Sequence, residues 1–136
     1  MLLKDKVAII YGAAGSIGRA IAEAYGREGA QLILTGRNLP ALDALAERIR
    51  AAGGRAETQR VDALSESDVN ACVQRVVERT GRLDISFNVI GVGDVQGTPL
   101  AQMKLSDYQA PIFNAVTTQF LTSRAAAQPM MRQRSG

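Results

Sequence analysis

Residues 11–22, YGAAGSIGRAIA, set glycines at 12, 15 and 18 between an apolar run and a helical pattern. Glycine has no Cβ, so the backbone can turn sharply there and approach a ligand closely. If a helix begins in this stretch, its first N–H groups have no intrahelical acceptor and its dipole favours an anion. Phosphate binding is the chemistry such a loop can perform. Gly12 can make the turn, Gly18 can let the helix pack close on the strand, and Ser16 offers a hydroxyl donor. The G-x-G-x-x-G spacing is absent. A plain tight turn is therefore the competing reading, and the preceding strand and following helix favour the ligand.

A second informative stretch is Thr35, Gly36, Arg37 and Asn38, after the apolar run QLIL. In a nucleotide-binding sheet an acidic side chain there would bind the ribose 2′-hydroxyl of NAD, and an Arg would accept the 2′-phosphate of NADP. No carboxylate is present, and Arg37 is well placed. NADP is expected over NAD, against the alternative of a solvated Arg.

Other chemistries are excluded by composition. The chain has 136 residues and no histidine, which removes the commonest general base and metal ligand. No zinc-ligand spacing occurs, so no metal site is expected. The 16 basic and 13 acidic residues are interspersed and give a net charge of +3. That balance argues against nucleic acid or a membrane surface as partner. The single cysteine, Cys72, allows no internal disulfide and suggests a reducing, cytoplasmic setting. The start MLLKDKVAII carries charges where a signal peptide would be apolar. No apolar run approaches the ~20 residues of a membrane helix.

The elements that must position these residues alternate. Strands are predicted at 6–11, 31–36, 55–61 and 83–91, the third at a sheet edge. Helices are predicted at 16–28, from the Asn38 cap to Gly53–Gly54, from the Ser65 cap to Thr80, and over about 106–131. Ile17, Ile21, Ala24 and Tyr25 would form the buried face of the first helix. Leu42, Leu45, Ala46 and Ile49 would form that of the second. Val69, Cys72, Val73, Val76 and Val77 would form that of the third, which makes Cys72 a packing residue. Pro111 should kink or restart the last helix. The order β-α-β-α-β-α-β-α implies parallel strands with right-handed crossovers: a single α/β domain with a doubly wound sheet. In such sheets ligands bind beyond the carboxyl ends of the strands, where the 12–18 loop lies.

Together these motifs resemble the short-chain dehydrogenase/reductase family, from residue 6 to residue 136. The family's Thr-Gly-x-x-x-Gly-x-Gly loop is matched by Tyr11, Gly12, Ser16, Ile17 and Gly18, with Ser16 in place of the middle glycine and Gly15 as an extra. LTGRN resembles the end of the second strand in NADP-preferring members. Asp62–Ala63 matches the Asp that binds the adenine ring. LDISFNVIG resembles Leu-Asp-x-x-x-Asn-Asn-Ala-Gly, with Asn88 and Gly91 matching and Val89 and Ile90 departing. QFLTSRAAAQPM resembles the family's long interface helix. The resemblance implies a Rossmann-type fold and cofactor contacts at Gly12, Ala14, Ser16, Ile17, Gly18, Arg37, Asp62, Ala63, Asn88 and Gly91. It also implies a homo-oligomer formed through the final helix, where Phe113, Val116, Phe120 and Leu121 would leave apolar surface uncovered.

The departures decide what else is expected. The family places a proton-relay Asn on the long helix. Alignment on Phe120 puts Ala115 there and Asn114 one residue away, a rotation of about 100°. The family's catalytic Ser, and its Tyr followed four residues later by Lys, have no counterpart in these 136 residues. Tyr11, Tyr25 and Tyr108 all lack Lys at +4, and Lys104–Tyr108 has the spacing reversed. The resemblance thus implies the cofactor-binding half of an NADP-dependent oxidoreductase, incomplete at the carboxyl end after the fourth strand and its helix. No catalytic residue is assigned, and substrate contacts would come from the other half. A non-catalytic dinucleotide-binding half-domain, or an interaction protein, is the alternative.

Overall fold

The computed structural model describes residues 1–136. β1 (Val7–Tyr11), β2 (Gln31–Gly36), β3 (Arg55–Arg60) and β4 (Ile85–Asn88) form one parallel sheet in the order β3-β2-β1-β4. The helices are α1 (Ser16–Arg27), α2 (Leu39–Ala51), α3 (Glu66–Thr80) and α4 (Leu105–Gln133), with a short 3-10 turn at Leu100–Gln102. This is the doubly wound Rossmann-type arrangement. β3 is an edge strand, and β4 forms the other edge with all four residues half-buried.

The sheet separates two cores. On one face Ala8, Ile10, Leu32 and Leu34 meet Leu42, Leu45, Ala46 and Ile49 of α2. On the other, Ile9, Tyr11 and Ile33 meet Val69, Cys72, Val73 and Val76 of α3 and Leu121 of α4. Alternate residues of β1 thus serve opposite layers, as the period of a strand requires. Cys72 is fully buried, and desolvation pushes its thiol up to about 11. It is a packing residue, as its helical spacing indicated.

Three local readings change. The buried face of α1 is Gly18, Ala22 and Gly26, not the Ile17 stripe. Small residues bring this helix closer to the sheet than a branched face could, leaving Ile17 66% exposed and Ile21, Ala24 and Tyr25 half-buried. Pro111 does not restart α4, which runs unbroken through Pro111 and Pro129. Each proline removes only one N–H bond, and packing of Thr118, Leu121, Thr122, Ala125 and Ala126 carries the helix. Leu121 joins that core face, so the uncovered stripe of α4 is Ile112, Phe113, Val116 and Phe120.

Two polar ties fix the ends. At the amino end of the sheet, the buried Asp84 carboxylate accepts the Val7 N–H at 2.9 Å and Arg82 Nε at 2.8 Å, with Lys6 Nζ at 3.5 Å. Burial alone would raise its pKa. The bonds from Arg82 and Val7 and the charges of Arg82 and Lys6 hold it below the usual carboxylate value. At the end of α4 the Gln133 amide both accepts the Leu83 N–H and donates to the Leu83 carbonyl, each at 2.8 Å.

Candidate functional site

The loop after β1 is shaped by two close approaches. Gly12 has φ +78°, and a Cβ there would lie 2.8 Å from the Val89 carbonyl oxygen. A Cβ on Gly18 would lie 2.8 Å from the Ala13 Cα. Both positions exclude a side chain. Gly15 has no such demand, since its nearest contact would be 3.4 Å away, in keeping with its reading as an extra. The Thr35 carbonyl accepts the Gly12 and Ala13 N–H groups, and its hydroxyl donates to the Ile10 carbonyl at 3.1 Å. The loop is thereby locked to β2.

The start of α1 is left open. Gly15, at the N-cap, has no side chain to accept a hydrogen bond, and the first turn holds no acidic residue. The first intrahelical bond is Arg19 N–H to Gly15 carbonyl, so the N–H groups of Ser16, Ile17 and Gly18 precede it. Three free donors and the helix dipole converge on one place, which suits an anion.

Beside this loop a cleft of about 330 Å³ runs across the carboxyl ends of the strands. Of the ten residues implied by the resemblance, Gly12, Ala14, Arg37, Asp62, Ala63 and Gly91 line it. Ser16, Ile17 and Gly18 stand at the helix start beside it. Asn88 lies behind it, donating its amide to the Thr118 hydroxyl at 3.2 Å and accepting the Ile90 N–H at 3.0 Å; it shapes the wall. The Asp62 carboxylate accepts the Leu64 N–H at 3.0 Å through one oxygen, which leaves the second for a ligand. Arg37 is exposed and has no side-chain partner.

Two wall residues lie outside the ten that the resemblance implies. Asn114 and Thr118, one turn apart on α4, both line the cleft, and the Asn114 amide donates to the Val92 carbonyl at 3.2 Å. Ala115 instead faces a groove with Val116 and Phe120 on the outer side of the helix. The one-residue offset therefore does not carry Asn114 away from the site. The signal was present: Asn114 stands four and seven residues before Thr118 and Leu121, on the sheet-facing stripe.

Tyr11 forms the floor. Its hydroxyl is buried with no hydrogen-bond partner, and desolvation drives its pKa far above the usual tyrosine value. Tyr108 lies exposed on the first turn of α4, and its backbone N–H donates to the Lys104 carbonyl at 3.2 Å. No cluster of metal-ligating side chains exists, and no helix is long and apolar enough to cross a membrane.

Residues 6–136 match the family model for short chain dehydrogenases. The chain belongs to that family. It is 40% identical over 135 residues to the uncharacterized oxidoreductase MT0954 of Mycobacterium tuberculosis (strain CDC 1551 / Oshkosh), covering 98% of this chain and 50% of the relative. It is 34% identical over 131 residues to glucose 1-dehydrogenase 2 of Bacillus subtilis (strain 168), covering 96% and 50%. A metagenomic short-chain oxidoreductase crystallised in complex with NADP superposes with a TM-score of 0.89 at 35% identity, covering all of this chain and 61% of that one. The chain spans about half the length of the curated relatives it matches.

Proposed function

We propose that this chain supplies the cofactor-binding half of an NADP-dependent oxidoreductase that moves hydride between NADPH and a carbonyl or alcohol. The observation that carries the cofactor choice is the end of β2, where Arg37 stands unpartnered on the cleft and no carboxylate occupies 35–38. Donor chemistry and space both fit a dinucleotide. The free N–H groups of α1 suit a pyrophosphate, and Gly12 and Gly18 keep the cradle clear. Arg37 suits a 2′-phosphate, and the spare oxygen of Asp62 suits an amino group on the base. When bound, the nicotinamide supplies the hydride. The chain's residues bind and orient it, and Asn114, one residue before the aligned relay position Ala115, stands on the cleft wall. The proton-handling Ser and Tyr–Lys would be contributed from outside these 136 residues. The apolar stripe of α4 supports a homo-oligomer, and a cytoplasmic setting goes with this reading.

Titration with NADPH and NADH, read by nucleotide fluorescence and thermal shift, tests the proposal. NADPH should bind the more tightly, and Arg37→Asp should weaken NADPH by more than about tenfold. No response to either nucleotide would overturn it. A second reading is binding without turnover. It predicts NADPH binding with no oxidation of the nucleotide when carbonyl compounds are added.

A further inference from the structure

The cleft crosses the sheet in the order of its strands. Arg37 and Asp62 stand at its β2–β3 end, and Ile90, Gly91, Asn114 and Thr118 close its β4 end. Between them lies β1, whose loop leads to the start of α1. Strands are about 4.8 Å apart, so β4 stands about 10 Å from β2. With the 2′-phosphate on Arg37 and the pyrophosphate on α1, the β4 end is left to the nicotinamide nucleoside.

A chain of contacts ties that end together. The hydroxyl of Thr118, 3% exposed, accepts the Asn88 side-chain amide at 3.2 Å and donates to the Ala115 carbonyl at 3.3 Å. The Asn88 side-chain carbonyl accepts the Ile90 N–H at 3.0 Å, which closes the turn that carries Ile90 and Gly91 into the wall. The glycine loop packs against the same turn. A Cβ on Gly12 would lie 2.8 Å from the Val89 carbonyl oxygen and 3.1 Å from the Ile90 Cα. Hydroxyl, amide and turn thus connect α4 to the loop that leads into α1. Loss of the Thr118 hydroxyl would leave the Asn88 amide without its protein partner, and such a group must find water or shift. The hydroxyl one turn further on does not stand in for it: Thr122 donates back to the Thr118 carbonyl at 2.8 Å.

We propose that Thr118 is a positioning residue for the nicotinamide half of the cofactor. Through Asn88 it fixes the Ile90–Gly91 wall against which that half is held. The inference rests on the dinucleotide reading above but adds a determinant at the opposite end of the cleft from Arg37. It acts on the shape of the wall, so it bears on one half of the ligand and not on the other.

Calorimetric titration of the 136-residue chain with NADP and with adenosine 2′,5′-bisphosphate tests it. The bisphosphate keeps the Arg37 end of the cofactor and lacks the nicotinamide nucleoside. Thr118→Val keeps the branched shape and removes the hydroxyl. It should weaken NADP by about fivefold while the bisphosphate stays within about twofold. Thr118→Ser keeps the hydroxyl and should stay within about twofold for both. At saturation, bound NADPH should show lower nicotinamide fluorescence anisotropy in Thr118→Val than in wild type. Thr118→Ala, which admits water to the Asn88 amide, replaces the valine variant if that one does not fold, and should show the same split between ligands. Equal losses for the two ligands would overturn the proposal, as a structural effect. Unchanged NADP affinity in Thr118→Val, or a loss in Thr118→Ser as large as in Thr118→Val, would overturn it too. Wild type binding the bisphosphate as tightly as NADP would overturn the wall's role and leave the Arg37 end standing. Failure of the wild-type chain to bind either ligand would overturn both.

Discussion

The two ends of the sheet follow opposite rules. At the amino end the buried charge is answered: Asp84 takes the Val7 N–H, Arg82 and Lys6. At the carboxyl end donors and charges are left without partners: the first N–H groups of α1, and Arg37. The difference is not imposed by position. α3 also starts at the carboxyl end, yet it is closed by the Ser65 cap on Asp68 N–H and by Glu66 and Asp68 in its first turn. An unpaired group is unfavourable unless water or a ligand satisfies it. The contrast therefore sets a buried charge satisfied within the protein against exposed groups left to water or a ligand.

The sharpest way to break the contrast is Gly18→Ala. The added methyl must displace loop backbone, so about 3 kcal/mol of stability should be lost, with a fall in Tm of about 10 °C and no measurable nucleotide binding. Gly15→Ala in the same loop should change stability by less than about 1 kcal/mol. Equal effects of the two would refute the assigned roles.

Asp84→Asn tests the closed end. It should cost about 2 kcal/mol in denaturant unfolding while leaving nucleotide affinity unchanged. The same carboxylate gives an acid signature. Its folded pKa is lowered, so its stabilisation is complete above the unfolded carboxylate pKa and is lost as pH falls through the folded value. Wild type should weaken below about pH 4. The Asn variant should show a flatter profile there, and equal slopes would count against the role of Asp84.

Closing the open end is the next test. Ile17 is exposed in the first turn of α1, so Ile17→Glu gives α1 the charge that α3 already has. Stability should stay level or rise by a few tenths of a kcal/mol, while NADPH binding weakens by about tenfold. A gain in both would show that the helix start is not the anion site. The smallest effect is expected from Ser65→Ala, which opens α3. It should cost about 1 kcal/mol in Tm-derived stability without creating nucleotide affinity.

Much of this could be read from the sequence because the local signals agreed with one another. The caps at Asn38 and Ser65, the Gly53 stop and the α2 and α3 stripes are set by spacing within one element, and each is found as expected. What was missed depends on contacts between elements. The buried face of α1 is its small residues because the glycine loop draws the helix close to the sheet. Local spacing ranks Ile17 as core, whereas proximity to the cleft leaves it exposed. The missing bond at Pro111 counts for less than the tertiary packing that keeps α4 continuous. Matching letters along the chain sets Asn114 one residue off the relay position, whereas its place is fixed by the face of α4 that contacts the sheet.

The Gln133–Leu83 pair joins residues 50 positions apart, and this bears on how the chain acquires its shape. β1, β2 and β3 with their crossovers are assembled from neighbouring segments. The start of the fourth strand is held by the last turn of a helix that emerges much later. During synthesis from the amino terminus, the three-stranded portion can settle while the outermost strand still awaits its clasp. Amides of residues 83–88 should accordingly gain hydrogen-exchange protection later than those of β1 and β2.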